Sequence, residues 1–244
     1  MRENLSEGLK DLLASKGAAF IACADLSNLP RESRHGYPYG VSIGVALDPV
    51  IVAEITDGPT KAYEAEYNRV NHLLNTLAGA GAEYLRQQGF EALSTVATVG
   101  QRDEQYVKYF VTPLPHKTVA TRAGVGWIGK CALLVTKTFG SAVRLTTILT
   151  NADLSTTAAV DESQCGECHI CVDICPAGAL SGKTWQAGMA REMFVDVFAC
   201  CRTTESWMAD RKLGHRICGM CIAACPWTQR YLKRTADFTA EDAE

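Results

Sequence analysis

Nine of the chain's eleven cysteines lie between Asp161 and Leu232. The first run, Cys165-Gly-Glu-Cys168-His-Ile-Cys171-Val-Asp-Ile-Cys175-Pro176, is C-x2-C-x2-C-x3-C-P. That spacing lets three thiolates converge on one iron–sulfur cube, while the fourth, before the proline, turns to a second cube. A shorter run follows, Cys218-Gly-Met-Cys221-Ile-Ala-Ala-Cys225-Pro226, with the pair Cys200-Cys201 upstream of it. Two 4Fe–4S clusters need eight thiolates. The spacing predicts one cluster on Cys165, Cys168, Cys171 and Cys225. The other takes Cys175, Cys218, Cys221 and one of Cys200 or Cys201. Zinc also accepts C-x2-C pairs, but it has no use for four cysteines at that spacing followed by a second C-P. Two clusters in one small fold make an electron wire, which needs a donor and a sink.

The elements that must position these thiols are bounded by composition. With 244 residues, 47% hydrophobic and 21% charged, the chain can bury a core and is not disordered. No apolar run reaches the ~18 residues of a membrane span, so no membrane partner is expected. The N-terminal stretch is polar and amphipathic, with neither a secretory signal nor a twin arginine, so a cytoplasmic location is expected. A net charge of −3 makes nucleic acid an unlikely partner on charge grounds. Dense cysteine in such a chain points to metal rather than disulfides.

Leucines at 5, 9, 12 and 13 predict a helix over 4–16, ended near Gly17. Residues 18–24 and 41–47 read as strands. Residues 59–88 read as a long helix broken near Gly79–Gly81, and 93–99 as a strand. A helical piece is expected at 116–123, then a strand pair at 131–136 and 143–149 turned at Gly140. Interleaved strands and helices predict an α/β (α+β) class. The expected division is 1–158, then a two-cluster ferredoxin-like domain at 159–234 with few long periodic segments, then an acidic tail at 235–244.

Gly124-Val-Gly126-Trp127-Ile128-Gly129 matches G-x-G-x-x-G letter for letter. A dinucleotide site needs a strand before that pattern and a helix after it. Here a predicted helix precedes the glycines and an apolar strand follows them, which rules the site out. The glycines permit a tight turn or close approach to a flat ligand, with Trp127 offering an apolar face.

The segment His116–Thr136 (HKTVATRAGVGWIGKCALLVT), the stretch VRLTTILTNADL and the ending CGMCIAACPW resemble epoxyqueuosine reductases, which are related to reductive dehalogenases. The resemblance implies that 1–158 is a nitroreductase-like cobalamin-binding domain, and that electrons pass from the clusters to a corrinoid. It implies cofactor contact by Gly126, Trp127, Ile128, Gly129 and Lys130. It also implies Cys200 as the eighth ligand, because the family places an aspartate four residues before its isolated cysteine and Asp196 stands there. The family's catalytic aspartate falls on Phe110, the nearest acid being Glu104. A short form without tRNA-binding repeats is expected.

Other candidates are weaker. His116 is the candidate proton donor. Tyr37, Tyr39, Tyr63 and Tyr67 are alternatives. His169 reads as a residue beside the clusters, and Cys23 and Cys131 as core thiols. The stretch Arg202–Arg234 holds seven Lys/Arg against two Asp/Glu, which suits docking of a low-potential ferredoxin or flavodoxin. These features predict a corrinoid-dependent iron–sulfur oxidoreductase acting on an unknown small-molecule substrate. The alternative is an electron-transfer protein that reduces a corrinoid or partner protein and has no small substrate. A flavin reductase on the same layout is a third reading.

Overall fold

The structure, a computed structural model, describes residues 2–98 and 111–241, with side chains through 235. Phe110 and Glu104 lie outside the described residues. The chain forms two compact units. One comprises Met1–Val45, Val70–Val125 and Arg144–Val160. The other comprises Ala46–Arg69, Gly126–Val143 and Asp161–Glu244. Compactness thus cuts across a linear boundary near residue 158, because two earlier segments pack with the cysteine block.

In the first unit, helix α1 (Arg2–Ser15) buries Leu9 and Leu13 completely. Gly17, at φ 99°, ends it, with Ala18 N donating to Leu13 O at 3.1 Å. Strands β1 (Phe20–Asp25) and β2 (Tyr39–Ala46) pair antiparallel. Helix α3 (Lys61–Gln87), which counts in this unit from Val70 on, runs unbroken through Gly79 and Gly81. Gly81 is a close-packing position instead: a methyl there would lie 2.6 Å from Ile148 Cδ1. Strand β3 (Ala92–Ser94) is shorter than the alternation suggested, and it pairs with β6 (Val143–Thr150). Among the described residues the sheet order is β1-β2-β6-β3. Helix α4 (His116–Arg122) packs on β1 through Val119, Ala24 and Leu26.

In the second unit, Asp48 caps the short helix α2 (Pro49–Ala53), accepting from Val50 N at 2.8 Å. Residues 131–136 do not pair with 143–149. Strand β4 (Trp127–Ile128) pairs instead with β5 (Leu134–Val135), two residues each. The cysteine block holds two helices that its composition did not suggest, α6 (Val197–Asp210) and α8 (Pro226–Glu241), besides the single-turn helices α5 (Ile170–Asp173) and α7 (Met220–Ala223). The expected tail therefore continues α8 as far as Glu241.

Glu66 is a buried strut of this unit. It accepts from Arg69 Nε at 2.7 Å, Arg69 Nη2 at 2.8 Å and Asp48 N at 2.9 Å. Burial pushes its carboxyl up, but the bonds from Arg69 and Asp48 outweigh that and hold it below its ordinary value. A lowered folded pKa gives stability that is present above the unfolded value, about 4.3, and is lost as pH falls through the folded one. Unfolding by urea is expected to show this loss below about pH 4.3. Glu66→Gln is expected to lose ~1–3 kcal/mol at pH 7 and to flatten that part of the acid limb.

Candidate metal centre

Short helices and caps set the thiols. Cys171 lies on α5, with Cys168 just before it and Cys175 just after. Asp196 caps α6, accepting from Phe198 N at 3.0 Å and Ala199 N at 2.9 Å, and so fixes the turn that carries Cys200 and Cys201. Cys221 lies on α7, and Cys225 precedes Pro226, which opens α8 as a first-turn proline.

Cys225 and Cys218 keep different company, and Cys221 lies near both sets. Cys225 feels the charges of Cys165 and Cys171. Cys218 feels Cys200 and Cys175, and Cys221 feels Cys218, Cys200, Cys171 and Cys175. Burial, foremost, and these like charges push Cys218 up to about 11 and raise Cys221 and Cys225 too. Thiols that suppress one another's ionisation are a donor set which a cationic centre would turn into thiolates. Among the described residues no three His, Cys, Asp or Glu side chains close on one point as ligands of a single ion would.

Cys200 and Cys201 differ in surroundings. Cys200 has Cys175 as a neighbour. Cys201 is held elsewhere: its Sγ donates to Glu205 Oε1 at 3.5 Å and accepts from Arg216 Nη1 at 3.4 Å, while Arg216 also donates to Glu205 at 2.9 Å.

The segment Gly126–Lys130 is buried throughout. A methyl on Gly126 would lie 2.1 Å from Val135 O, and one on Gly129 2.7 Å from Val135 Cγ2. These glycines admit the chain's own β5 and leave no open cradle. A methyl on Gly129 would also lie 3.1 Å from Cys131 Sγ and 3.6 Å from Cys165 Sγ, so the hairpin meets the first thiol group. Lys130 Nζ donates to His169 Nε2 at 3.0 Å. The Trp127 ring meets Trp227 edge-on, with centroids 5.3 Å apart. Trp127 Nε1 is buried with no hydrogen-bond partner among the described residues.

Cys131 was expected to be a core thiol. It is buried but not remote: a methyl on Gly129 would touch both its sulfur and that of Cys165. The neighbouring Cys171, then burial, raises the Cys131 thiol, and Cys131 in turn lowers Cys171. The apolar run around Cys131 concealed this contact, which only the β4–β5 turn creates.

His116 lies in the first unit. Its Nδ1 is 2.9 Å from Thr147 Oγ1 and its Nε2 2.9 Å from Val96 O, so both nitrogens join α4 to the β3–β6 edge. Burial lowers its pKa. Asp153 beside Tyr39 raises its phenol, and the Tyr67 ring meets that of His215, tilted, with centroids 5.1 Å apart. Much of the basic excess braces the second unit. Arg211 bonds Asp57 at 3.4 Å and Pro59 O at 3.1 Å, Arg216 bonds Glu205, Arg230 lies 4.5 Å over Trp227, and Arg234 bonds Thr138 O.

Residues 164–228 match the family described as "4Fe-4S double cluster binding domain". Residues 164–228 thus carry the pattern of a two-cluster iron–sulfur domain. The chain is 35% identical over 133 residues to an epoxyqueuosine reductase of Atelocyanobacterium thalassa (isolate ALOHA), which covers 50% of this chain and 40% of that relative. The aligned chain therefore spans less than half of that protein. An epoxyqueuosine reductase solved with a tRNA-Tyr stem loop matches 93% of this chain and 66% of its own, with TM-score 0.63 and 19% identity. A reductive dehalogenase structure reported for a mechanism of B12-dependent dehalogenation matches 93% of this chain and 32% of its own, with TM-score 0.67 and 17% identity. The fold is shared with both. No described helix is long and apolar enough to cross a membrane.

Proposed function

We propose that this chain is a corrinoid-dependent iron–sulfur reductase that passes low-potential electrons through two 4Fe–4S clusters to reduce a small substrate. The observation that carries this reading is the double-cluster match over residues 164–228, which spans both cysteine runs, with Cys225 beside Cys165 and Cys171 and Cys175 beside Cys200 and Cys218. On it, Cys165, Cys168, Cys171 and Cys225 hold one cluster, and Cys175, Cys200, Cys218 and Cys221 hold the other. When bound, the clusters supply one-electron transfer and the corrinoid a strongly reducing metal centre. The chain's own residues bury Cys171 and Cys225, hold Cys201 aside and brace the first run through the Lys130–His169 bond. Trp127 offers an unpaired N–H.

The corrinoid is drawn from the likeness to a dehalogenase described as B12-dependent. The same fold in a structure with a tRNA stem loop removes the charge argument against nucleic acid, since a net charge of −3 describes the whole chain and not a local face. The alternative, an electron-transfer protein with no small substrate, is favoured by the lack of an acid at Phe110. Incubating the reduced, reconstituted chain and cobalamin with a panel of epoxides and aryl halides tests the choice. Product formation supports the reductase, and reduction of cobalamin with no product on any substrate supports the alternative.

A further inference from the structure

Lys130 is a buried cation, 4% exposed. Among the described residues no carboxylate pairs with it. Its Nζ donates instead to His169 Nε2 at 3.0 Å. His169 stands between Cys168 and Cys171, where it opens α5, and its ring is hemmed by Gly182, on which a methyl would lie 2.9 Å from His169 Cε1. At its other end Lys130 follows Gly129, on which a methyl would lie 3.6 Å from Cys165 Sγ. The lysine therefore starts beside the first cysteine of the run and ends on the residue between the second and the third. We infer that Lys130 is a positioning residue for the first cluster, setting its cation against the first cysteine run and holding that cluster's potential up. This rests on the two-cluster reading above.

The physical reason is charge. A buried ammonium is costly unless an anion lies near it. An ammonium can only donate, so His169 Nε2 accepts and the ring brings no negative charge. The anions this place offers are the thiolates of the first run and the cluster they hold. One-electron reduction makes that cluster more negative, so a fixed cation beside it stabilises the reduced form more than the oxidised one. Burial gives the effect its size, because the same charge in salt water would be screened. The bond to His169 keeps the flexible lysine stem in one place. No ligand is exchanged, since Cys165, Cys168, Cys171 and Cys225 already complete the set.

The test uses the full chain, reconstituted anaerobically with iron and sulfide, as wild type, Lys130→Met and Lys130→Arg. Methionine keeps much of the side chain's length and removes its charge. Iron content, EPR-monitored redox titrations and cobalamin binding are measured. Lys130→Met is expected to keep about eight irons while one cluster becomes harder to reduce. The reduced-to-oxidised ratio of that cluster at fixed poise should fall about tenfold or more, tenfold being ~59 mV for one electron. The other cluster, farther from the charge, should move less. In a Cys200→Ser background the surviving signal should carry the shift. Lys130→Arg keeps the cation and is expected to return the midpoint toward wild type, which a lysine serving only to fill space would not do. Unchanged midpoints in Lys130→Met would overturn the inference, and weakened cobalamin binding in that same protein would make Lys130 a corrinoid contact instead. A shift confined to the signal that Cys200→Ser removes would overturn it too. If Lys130→Met does not fold, Lys130→Gln carries the same test. Wild type holding about four irons would instead remove the two-cluster reading itself.

Discussion

A Cys200→Ser protein is expected to lose one of its two clusters, and a Cys201→Ser protein to keep both. The two residues are neighbours on one helix, so sequence spacing serves either. Their side chains do not. Cys200 joins Cys175, Cys218 and Cys221 in mutual electrostatic contact. Cys201 is spoken for by Glu205 at 3.5 Å and Arg216 at 3.4 Å. For Cys201 to ligate, a helix capped by Asp196 would have to rotate by about 100°, the turn per residue of an α-helix. A serine at 200 offers a hard oxygen in place of the soft thiolate that iron–sulfur clusters take. Iron should fall from about eight to about four per chain, with one EPR signal left. The reverse pattern, loss in Cys201→Ser and retention in Cys200→Ser, would transfer the ligand role.

Gly140→Ala is expected to disrupt the second unit. Gly140 has φ +57° and closes a small bridge, donating to Thr136 O at 3.0 Å and accepting from Thr136 N at 2.8 Å. A methyl there would lie 2.2 Å from Thr228 N and 2.5 Å from Thr228 Cα. The opposing atoms are backbone of the first turn of α8, so no rotamer change relieves them. Thr228 is fully buried, and its Oγ1 accepts from Ser141 N at 3.1 Å, so the helix cannot retreat without losing that bond. Left-handed backbone adds about 1–2 kcal/mol for a residue with a Cβ, and overpacking about 1–3 kcal/mol or more. A loss of about 2–5 kcal/mol is a large part of the ~5–15 kcal/mol that holds a domain. Because α8 begins next to Cys225, cluster loading should fall with stability. Gly79→Ala is the control. Gly79 sits in α3 with nothing within 4 Å of its would-be methyl, and alanine there should stabilise by up to ~1 kcal/mol. Urea midpoints of the two proteins check both signs.

The site was more legible in the sequence than the fold around it. Thiol spacing is local chemistry, so both runs and the need for an upstream cysteine are readable from one dimension. Helix α1 and strands β1 and β2 follow from apolar periodicity. The β4–β5 hairpin does not. Its strands are two residues long, and an apolar run such as CALLVT carries no sign of its partner. Glycine reads as a helix breaker, yet Gly81 sits inside α3 because Ile148 and Leu13 occupy the space a side chain would need. Helices α6 and α8 were missed although their start signals were present, Asp196 as a cap and Pro226 at a first turn. The place of Cys131 beside Cys171 is tertiary and had no local signal.

Electron delivery to a corrinoid is the central claim, and one titration meets it directly. The reconstituted chain is reduced fully, freed of excess reductant and mixed anaerobically with cobalamin, and the visible spectra of clusters and corrinoid are followed together. The account predicts that the corrinoid spectrum shifts to a reduced form as cluster absorbance returns to that of the oxidised protein. The stoichiometry should be about two electrons per chain, falling by half in Cys200→Ser. A corrinoid spectrum that stays unchanged while both clusters remain reduced would contradict it.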